Sequence, residues 1–360
     1  MWNFVLKGCE NTAKILYGLC GEGLGHASRS RILISHLKKK HDIRIVAGGK
    51  AFSYLSKEFD HVYKIESPHF AYKGNEARLF LTILQTVFKA FIKSPSSFLK
   101  VRKILKEFEP DILITDAEPI SFFASSFSNI KRISIDNPQA LLHREYTVKF
   151  GEYLSRFVLL VAVKISVLGA DKYLIYDFFD EQIDDKKVLF LKPLIQDGIL
   201  KQEPEEGDHI FVYQTSISSE FICNILKNID EKFIIYGFNK DLIDGNLTFK
   251  KFNDEEFYQD ISSAKAIITN GGFTVISEAL YLKKPIFSLP IKKQFEQMLN
   301  GKFIEQLGAG VYKMDLCQKD LEDFLQNLDF YKKNLKSYNP GDQKETLKII
   351  EDQIQSFVPK

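Results

Sequence analysis

Twice along this 360-residue chain a short, mostly apolar run ends in glycines that open onto a longer amphipathic stretch. In the first half, residues 15–20 (ILYGLC) lead into Gly21-Glu22-Gly23-Leu24-Gly25-His26 and then into residues 28–40. There Ile32, Leu33 and Leu37 share one helical face. In the second half, residues 266–268 (AII) lead into Asn270-Gly271-Gly272 and another helical stretch. A chain that alternates buried strand, tight turn and helix in this way is restricted to parallel sheets covered by helices.

The alternation continues on both sides of a polar run. Residues 43–47, 111–115 and 132–135 read as further strands of a first unit. Residues 210–213, 233–236 and 286–288 read as further strands of a second, with helices at 218–228, 255–263, 275–282 and 294–307. A long helical region, 76–108, is broken at Pro95. The expected organisation is a first domain over 1–195, a linker over 196–208 and a second domain over 209–338. A C-terminal helix within 339–360 then packs back on the first domain. The linker holds Gly198, Pro204 and Gly207 among acids, and Asn339-Pro340-Gly341 breaks the chain before the last helix.

Length and composition fit two cores, with 45% hydrophobic residues. Cys9, Cys20, Cys223 and Cys317 lie far apart, without the spacing of a zinc site or a disulfide framework. The opening residues lack the apolar core of a signal peptide, so a cytoplasmic location is expected. Residues 157–168 are apolar but include Lys164 and fall short of the ~20 residues that span a bilayer.

Charge is unevenly spread. Residues 1–192 carry 29 Lys and Arg against 21 Asp and Glu, a net of +8; residues 193–360 carry 20 against 26, a net of −6. All eight arginines lie in the first half. One domain is thus expected to face something anionic. A nucleic-acid role is not expected, since acids offset the bases and no recognition motif is present.

Both glycine turns can present free helix N–H groups to an anion. The first is not a dinucleotide fingerprint: its spacing is G-x-G-x-G, and the following strand ends in Ala47-Gly48-Gly49 with no acid for a ribose. The alternative is a turn that only packs helix on strand. His26 sits where the helix dipole should favour the neutral ring, which a general base needs. Asp116, at the mouth of a later strand, should line the same crevice and orient that ring. Its alternative role is to cap the turn into Pro119.

The stretch 270–300 (NGGFTVISEALYLKKPIFSLPIKKQFEQMLN) places Glu278 on the helix after the glycine pair and Gln294, Glu296, Gln297 and Asn300 at the next helix start. Carboxylates and amides at this density suit a hydroxyl-rich ligand; the alternative is a plain α/β unit with incidental polar residues. The pattern G-G-x-T-x-x-x-E-A, then K-P, P and E-Q-x-x-N-G resembles the donor-binding signature of GT-B glycosyltransferases, in particular the group around the peptidoglycan N-acetylglucosaminyltransferase MurG. The glycine loop with its histidine is similar to that group's amino domain.

The resemblance implies two facing Rossmann-like domains and a UDP-sugar donor. Glu278 would take the ribose hydroxyls, and Gly271, Gly272, Phe273 and Thr274 the diphosphate. Glu296, Gln297 and Asn300 would take the sugar, with Gln294 beside them among the donor-binding residues. Phe252 matches the position whose backbone reads uracil, and Thr215 and Ser216 stand where a small-residue phosphate loop is found. Asn137 matches an asparagine that approaches the donor from the first domain, beside the loop of Gly21, Gly23 and Gly25. His26 and Asp116 resemble the base of related inverting enzymes. No metal or other cofactor is expected, since no D-x-D occurs. Glu296-Gln297 departs from the group's paired amides, which leaves the sugar open, and YQTSISSE is poor in glycine.

Residues 78–106 interleave aromatics with Lys and Arg, so an anionic membrane surface and a lipid-linked acceptor are expected partners; a core face with solvated lysines is the alternative. Two other functions fit the architecture: a non-hydrolysing UDP-sugar epimerase, which needs further acids and a histidine near the donor sugar, and a non-catalytic sugar-nucleotide binder.

Overall fold

In the computed structural model, residues 12–21, 24–66, 95–147, 153–214, 219–291 and 294–358 are described. Two seven-stranded sheets form the frame. The first contains β1 (Lys14–Leu19), β2 (Asp42–Ala47), β3 (Val62–Lys64), β4 (Ile112–Asp116), β5 (Lys131–Asp136), β6 (Lys172–Tyr176) and β7 (Val188–Leu191), in the order β3-β2-β1-β4-β5-β6-β7. All its pairs are parallel. The second contains β8 (His209–Tyr213), β9 (Lys232–Tyr236), β10 (Leu242–Asp244), β11 (Leu247–Phe249), β12 (Ala266–Thr269), β13 (Ile286–Ser288) and β14 (Gly310–Tyr312). Its order is β10-β11-β9-β8-β12-β13-β14, parallel except for the β10–β11 hairpin. The order reverses beside β1 in one sheet and beside β8 in the other, and each reversal opens a crevice at the carboxyl ends of the strands.

The central strands are buried on both faces, as their unbroken apolar runs require. Ile15, Leu16, Ile112, Leu113 and Ile114 are each 0% exposed, as are Ile210, Phe211, Ile267 and Ile268. Helix 28–40 of the sequence reading begins earlier, at Leu24, and spans Leu24–Leu37. Within the region 76–108, residues 67–94 lie outside the described residues, and the remainder is the helix Pro95–Phe108, which starts at the expected proline. Strands β3, β6, β7, β10, β11 and β14 were not expected.

The polar run 196–208 is not a free tether. It holds a short helix, Asp197–Leu200, whose Ile199 is fully buried, and Leu194 and Ile195 enter the core before it. The chain crosses between the domains here and again near residues 338–342. The two crossings touch: the Ile195 amide donates to Gln343 Oε1 at 2.7 Å. Consecutive lysines brace them, Lys283 reaching the Tyr338 carbonyl and Lys284 the Glu205 carbonyl.

As expected, the final helix, Gln343–Gln355, returns to the first domain. Glu351, 9% exposed, accepts from His36 Nε2 at 3.1 Å and Lys40 Nζ at 2.6 Å. Among the described residues no helix is long and apolar enough to cross a membrane.

Candidate active site

The two glycine turns meet. Thr274 Oγ1, in the first turn of the helix Phe273–Tyr281, donates to the Gly25 carbonyl at 3.3 Å across the interdomain crevice. A Cβ on Gly25 would stand 2.9 Å from that hydroxyl, so the approach needs glycine. Gly21 packs against Gly48 instead, and Gly23 lies outside the described residues.

His26, in the first turn of Leu24–Leu37, is brought to Asp116, the last residue of β4. Nδ1 lies 2.7 Å from Asp116 Oδ1. Nδ1 lies between the Asp116 carboxylate and Arg29 Nη2, which is 3.1 Å away and can only donate; the shorter contact, to the carboxylate, is the one a protonated Nδ1 makes, and it leaves Nε2 to accept a proton from a substrate. The ring is 20% exposed and Asp116 1%. The expectation of a depressed histidine pKa does not hold. Burial does oppose the charged ring, but the Asp116 charge and hydrogen bond outweigh it, and the pKa lies above 6.5. A carboxylate in direct contact exceeds the partial charge of a helix end.

Asp116 is buried too, which favours its neutral form. Arg29 and His26 overcome that and hold it down at about 2. Arg29, 3% exposed, sets Nη2 2.9 Å from both Asp116 oxygens, and Ser30 Oγ donates to Oδ2 at 3.1 Å. Asp136, at the end of the adjacent β5, is pushed up to about 7 by burial and by the charge of Asp116.

From Arg29 the network crosses the domains. Arg29 Nη1 donates to Asn137 Oδ1 at 3.1 Å, and Asn137 Nδ2 donates to Glu296 Oε1 at 2.9 Å. Asn137, Glu296, Asn300 and Phe273 line a narrow pocket together with Tyr176 and Asp177. Phe273 sends its ring to the first domain, stacked on Phe178 at 4.7 Å.

Around the second glycine turn, Gly271 has φ 84°, and its carbonyl accepts from Asn300 Nδ2 at 3.0 Å. Gly272 caps the helix Phe273–Tyr281 without a side-chain bond, so amides of the first turn face the crevice. Gln297 folds back, its Oε1 accepting from the Ile291 amide at 3.0 Å, and Gln294 caps the helix Phe295–Gln306 without a side-chain bond. Thr215 and Ser216 lie outside the described residues. Just before them Gln214 is 2% exposed, and its Nε2 has no hydrogen-bond partner among the described residues.

Glu278 and Phe252 stand apart from the His26 network. Glu278, 1% exposed, accepts from Gln196 Nε2 at 2.8 Å, and Gln196 Oε1 accepts from Tyr258 OH at 3.0 Å. Burial pushes Glu278 up to about 7, with the Gln196 bond pulling the other way. Phe252 is 51% exposed beside Phe257. The sequence reading missed Arg29, Gln196, Tyr258 and Gln214. Only Arg29 left a signal, by standing three residues from His26 on one helical face.

A proton acceptor, its orienting carboxylate and two opposed helix amino ends are the parts that group transfer from a diphosphate needs. Comparison with known proteins agrees. Residues 13–329 match the model of glycosyl transferase family 1. An uncharacterized glycosyltransferase of Methanosarcina mazei is 26% identical over 328 residues, covering 82% of this chain and 84% of its own. The UDP-N-acetylglucosamine--N-acetylmuramyl-(pentapeptide) pyrophosphoryl-undecaprenol N-acetylglucosamine transferase 2 of Bacillus cereus is 22% identical, covering 91% and 96%. The crystal structure of the glycotransferase of kitacinnamycin superposes with a TM-score of 0.69 at 13% identity, covering 97% of this chain and 100% of that one. With its two-domain GT-B fold and MurG-type relatives, the chain belongs to glycosyl transferase family 1.

Proposed function

We propose that this glycosyltransferase moves a sugar from a UDP-sugar, UDP-N-acetylglucosamine being the first candidate, to a hydroxyl of a lipid-linked or cell-envelope acceptor. The transfer proceeds with inversion and without a metal ion, at the cytoplasmic side of a membrane. The observation that carries the reading is the His26–Asp116 contact at 2.7 Å beside the Gly25–Thr274 contact between domains.

In this mechanism the second domain holds the donor. Glu278 takes the ribose, the amides at Gly272, Phe273 and Thr274 take the diphosphate, and Glu296, Gln297 and Asn300 take the sugar. His26 Nε2 removes the acceptor hydroxyl's proton as its oxygen bonds to the anomeric carbon. The bond from that carbon to the diphosphate breaks on the opposite side, and its electron pair leaves with UDP. Helix amides stabilise that charge. Asp116 holds the imidazolium that forms.

Glu296 supports a sugar rich in hydroxyl donors, since an ionised carboxylate only accepts. A peripheral membrane contact is supported by Leu99 (65% exposed), on the same helix as Arg102, Lys103 and Lys106, and by Phe127 (74%), whose ring lies 5.7 Å from the Arg102 guanidinium. The remainder of the basic aromatic stretch, up to residue 94, lies outside the described residues.

UDP release from a panel of nucleotide sugars, with and without a lipid extract as acceptor, tests the reaction. His26→Ala should abolish release yet retain UDP binding; loss of neither makes the protein a binder. Flotation with anionic vesicles at low and high salt tests the membrane contact, and no binding at low salt would discard it.

A further inference from the structure

One buried cation beside the site has no part in the mechanism so far. Arg29 uses three groups at once: Nη2 spans both Asp116 oxygens and lies 3.1 Å from His26 Nδ1, Nη1 holds Asn137, and the guanidinium carbon lies 4.9 Å from the Tyr176 ring centre and 5.7 Å from that of Phe273. Tyr176 belongs to the first domain and Phe273 to the second. Through Asn137 the guanidinium also reaches Glu296 of the second domain. Only a planar fork satisfies the carboxylate and the amide together while lying against aromatic faces.

We propose that Arg29 is a positioning residue for the His26–Asp116 pair, fixing the carboxylate that orients the base and tying it through Asn137 to Glu296 on the donor side. This rests on the reading of His26 as the base. The geometry makes Arg29 more than a counter-ion, because its second amino group serves a residue that the donor domain also holds. If Arg29 were only a structural cation, Lys would replace it.

The charges that act on His26 are Asp116, Arg29 and Glu296, and the other titratable groups around Asp116 are Tyr17, Tyr176 and Asp136. Arg29 repels a proton on His26, and Asp116 attracts one. Removing the guanidinium therefore leaves Asp116 unopposed, and His26 holds its proton to higher pH.

The test is an NMR titration of labelled histidine in the full chain without substrate, with His26 assigned through His26→Gln. Arg29→Met should raise the His26 midpoint by about one pH unit. Arg29→Lys should keep the midpoint near the wild type, yet lower UDP release from UDP-N-acetylglucosamine or UDP-glucose, with water as acceptor, by at least about tenfold. An unchanged midpoint in a folded Arg29→Met protein overturns the proposal. Full turnover by Arg29→Lys overturns it as well, and that variant decides the matter if the Met variant does not fold. Full turnover by His26→Ala would remove the base reading instead, while the substrate-free midpoint still reports on Arg29.

Discussion

His26 needs its neutral ring to accept a proton, and its pKa lies above 6.5 because Asp116 outweighs burial. Activity should therefore fall as pH drops through that raised value, and the acidic limb of kcat/KM should lie above pH 6.5. Asp116→Asn removes the attracting charge, so the limb should move to lower pH while turnover falls by about 10²-fold or more. The contribution of the raised histidine to stability is complete below about pH 6.5 and is lost as pH rises through its folded value. Asp116 runs the other way: held at about 2, it stabilises above its unfolded value of 3.8 and loses that as pH falls toward 2. About 2 kcal/mol is at stake in full, of which about 1 kcal/mol should be lost between pH 6 and pH 3, read from urea denaturation at the two pH values. Glu278, raised to about 7, should bind ribose better once ionised. UDP should bind more tightly at pH 8 than at pH 6, and Glu278→Gln should flatten that dependence in calorimetry. The meeting of His26 with Asp116 was legible in the sequence because one follows a glycine turn and the other ends a strand of the same sheet. Arg29 left only its spacing from His26 as a signal, because an arginine on a helix reads as a solvated charge until its burial is known, and its partner Asp116 lies 87 residues away. The depressed pKa expected of His26 failed for the same reason, since the ion pair that decides it is a tertiary contact.

Among the elements, the central strands and the helices after the glycine turns were legible, since four or more apolar residues between breakers leave few alternatives. The strands missed are mostly short or at the sheet edges. β3, β10, β11 and β14 have three residues each, too few to show a period, and they pair only because a neighbour presents a free edge. Within the linker, thirteen polar-rich residues concealed the buried Ile199, and Gln196 holds Glu278. The C-terminal helix was expected on the first domain, and the ion-paired Glu351 is the residue that ties it there. Glu351→Ala removes one acceptor from His36 and from Lys40 and should lower stability by about 1–3 kcal/mol, seen as an earlier thermal transition with the fold unchanged.

At the scale of the molecule, the function depends on two domains that touch at their glycine turns. Gly25→Ala places a methyl 2.9 Å from Thr274 Oγ1 and should turn that hydroxyl away from the Gly25 carbonyl. The expected result is slower UDP release, by about tenfold, with little change in melting because neither core is touched. The chain's two crossings between domains bear on how that crevice works. Because the Ile195 amide is bonded to Gln343, the connection is a paired strap, braced by Lys283 and Lys284. Two crossings side by side resist twisting more than folding along their common line, so any opening of the crevice would follow that line. Each closing would then return His26 to the same face of the second domain without a search through orientations.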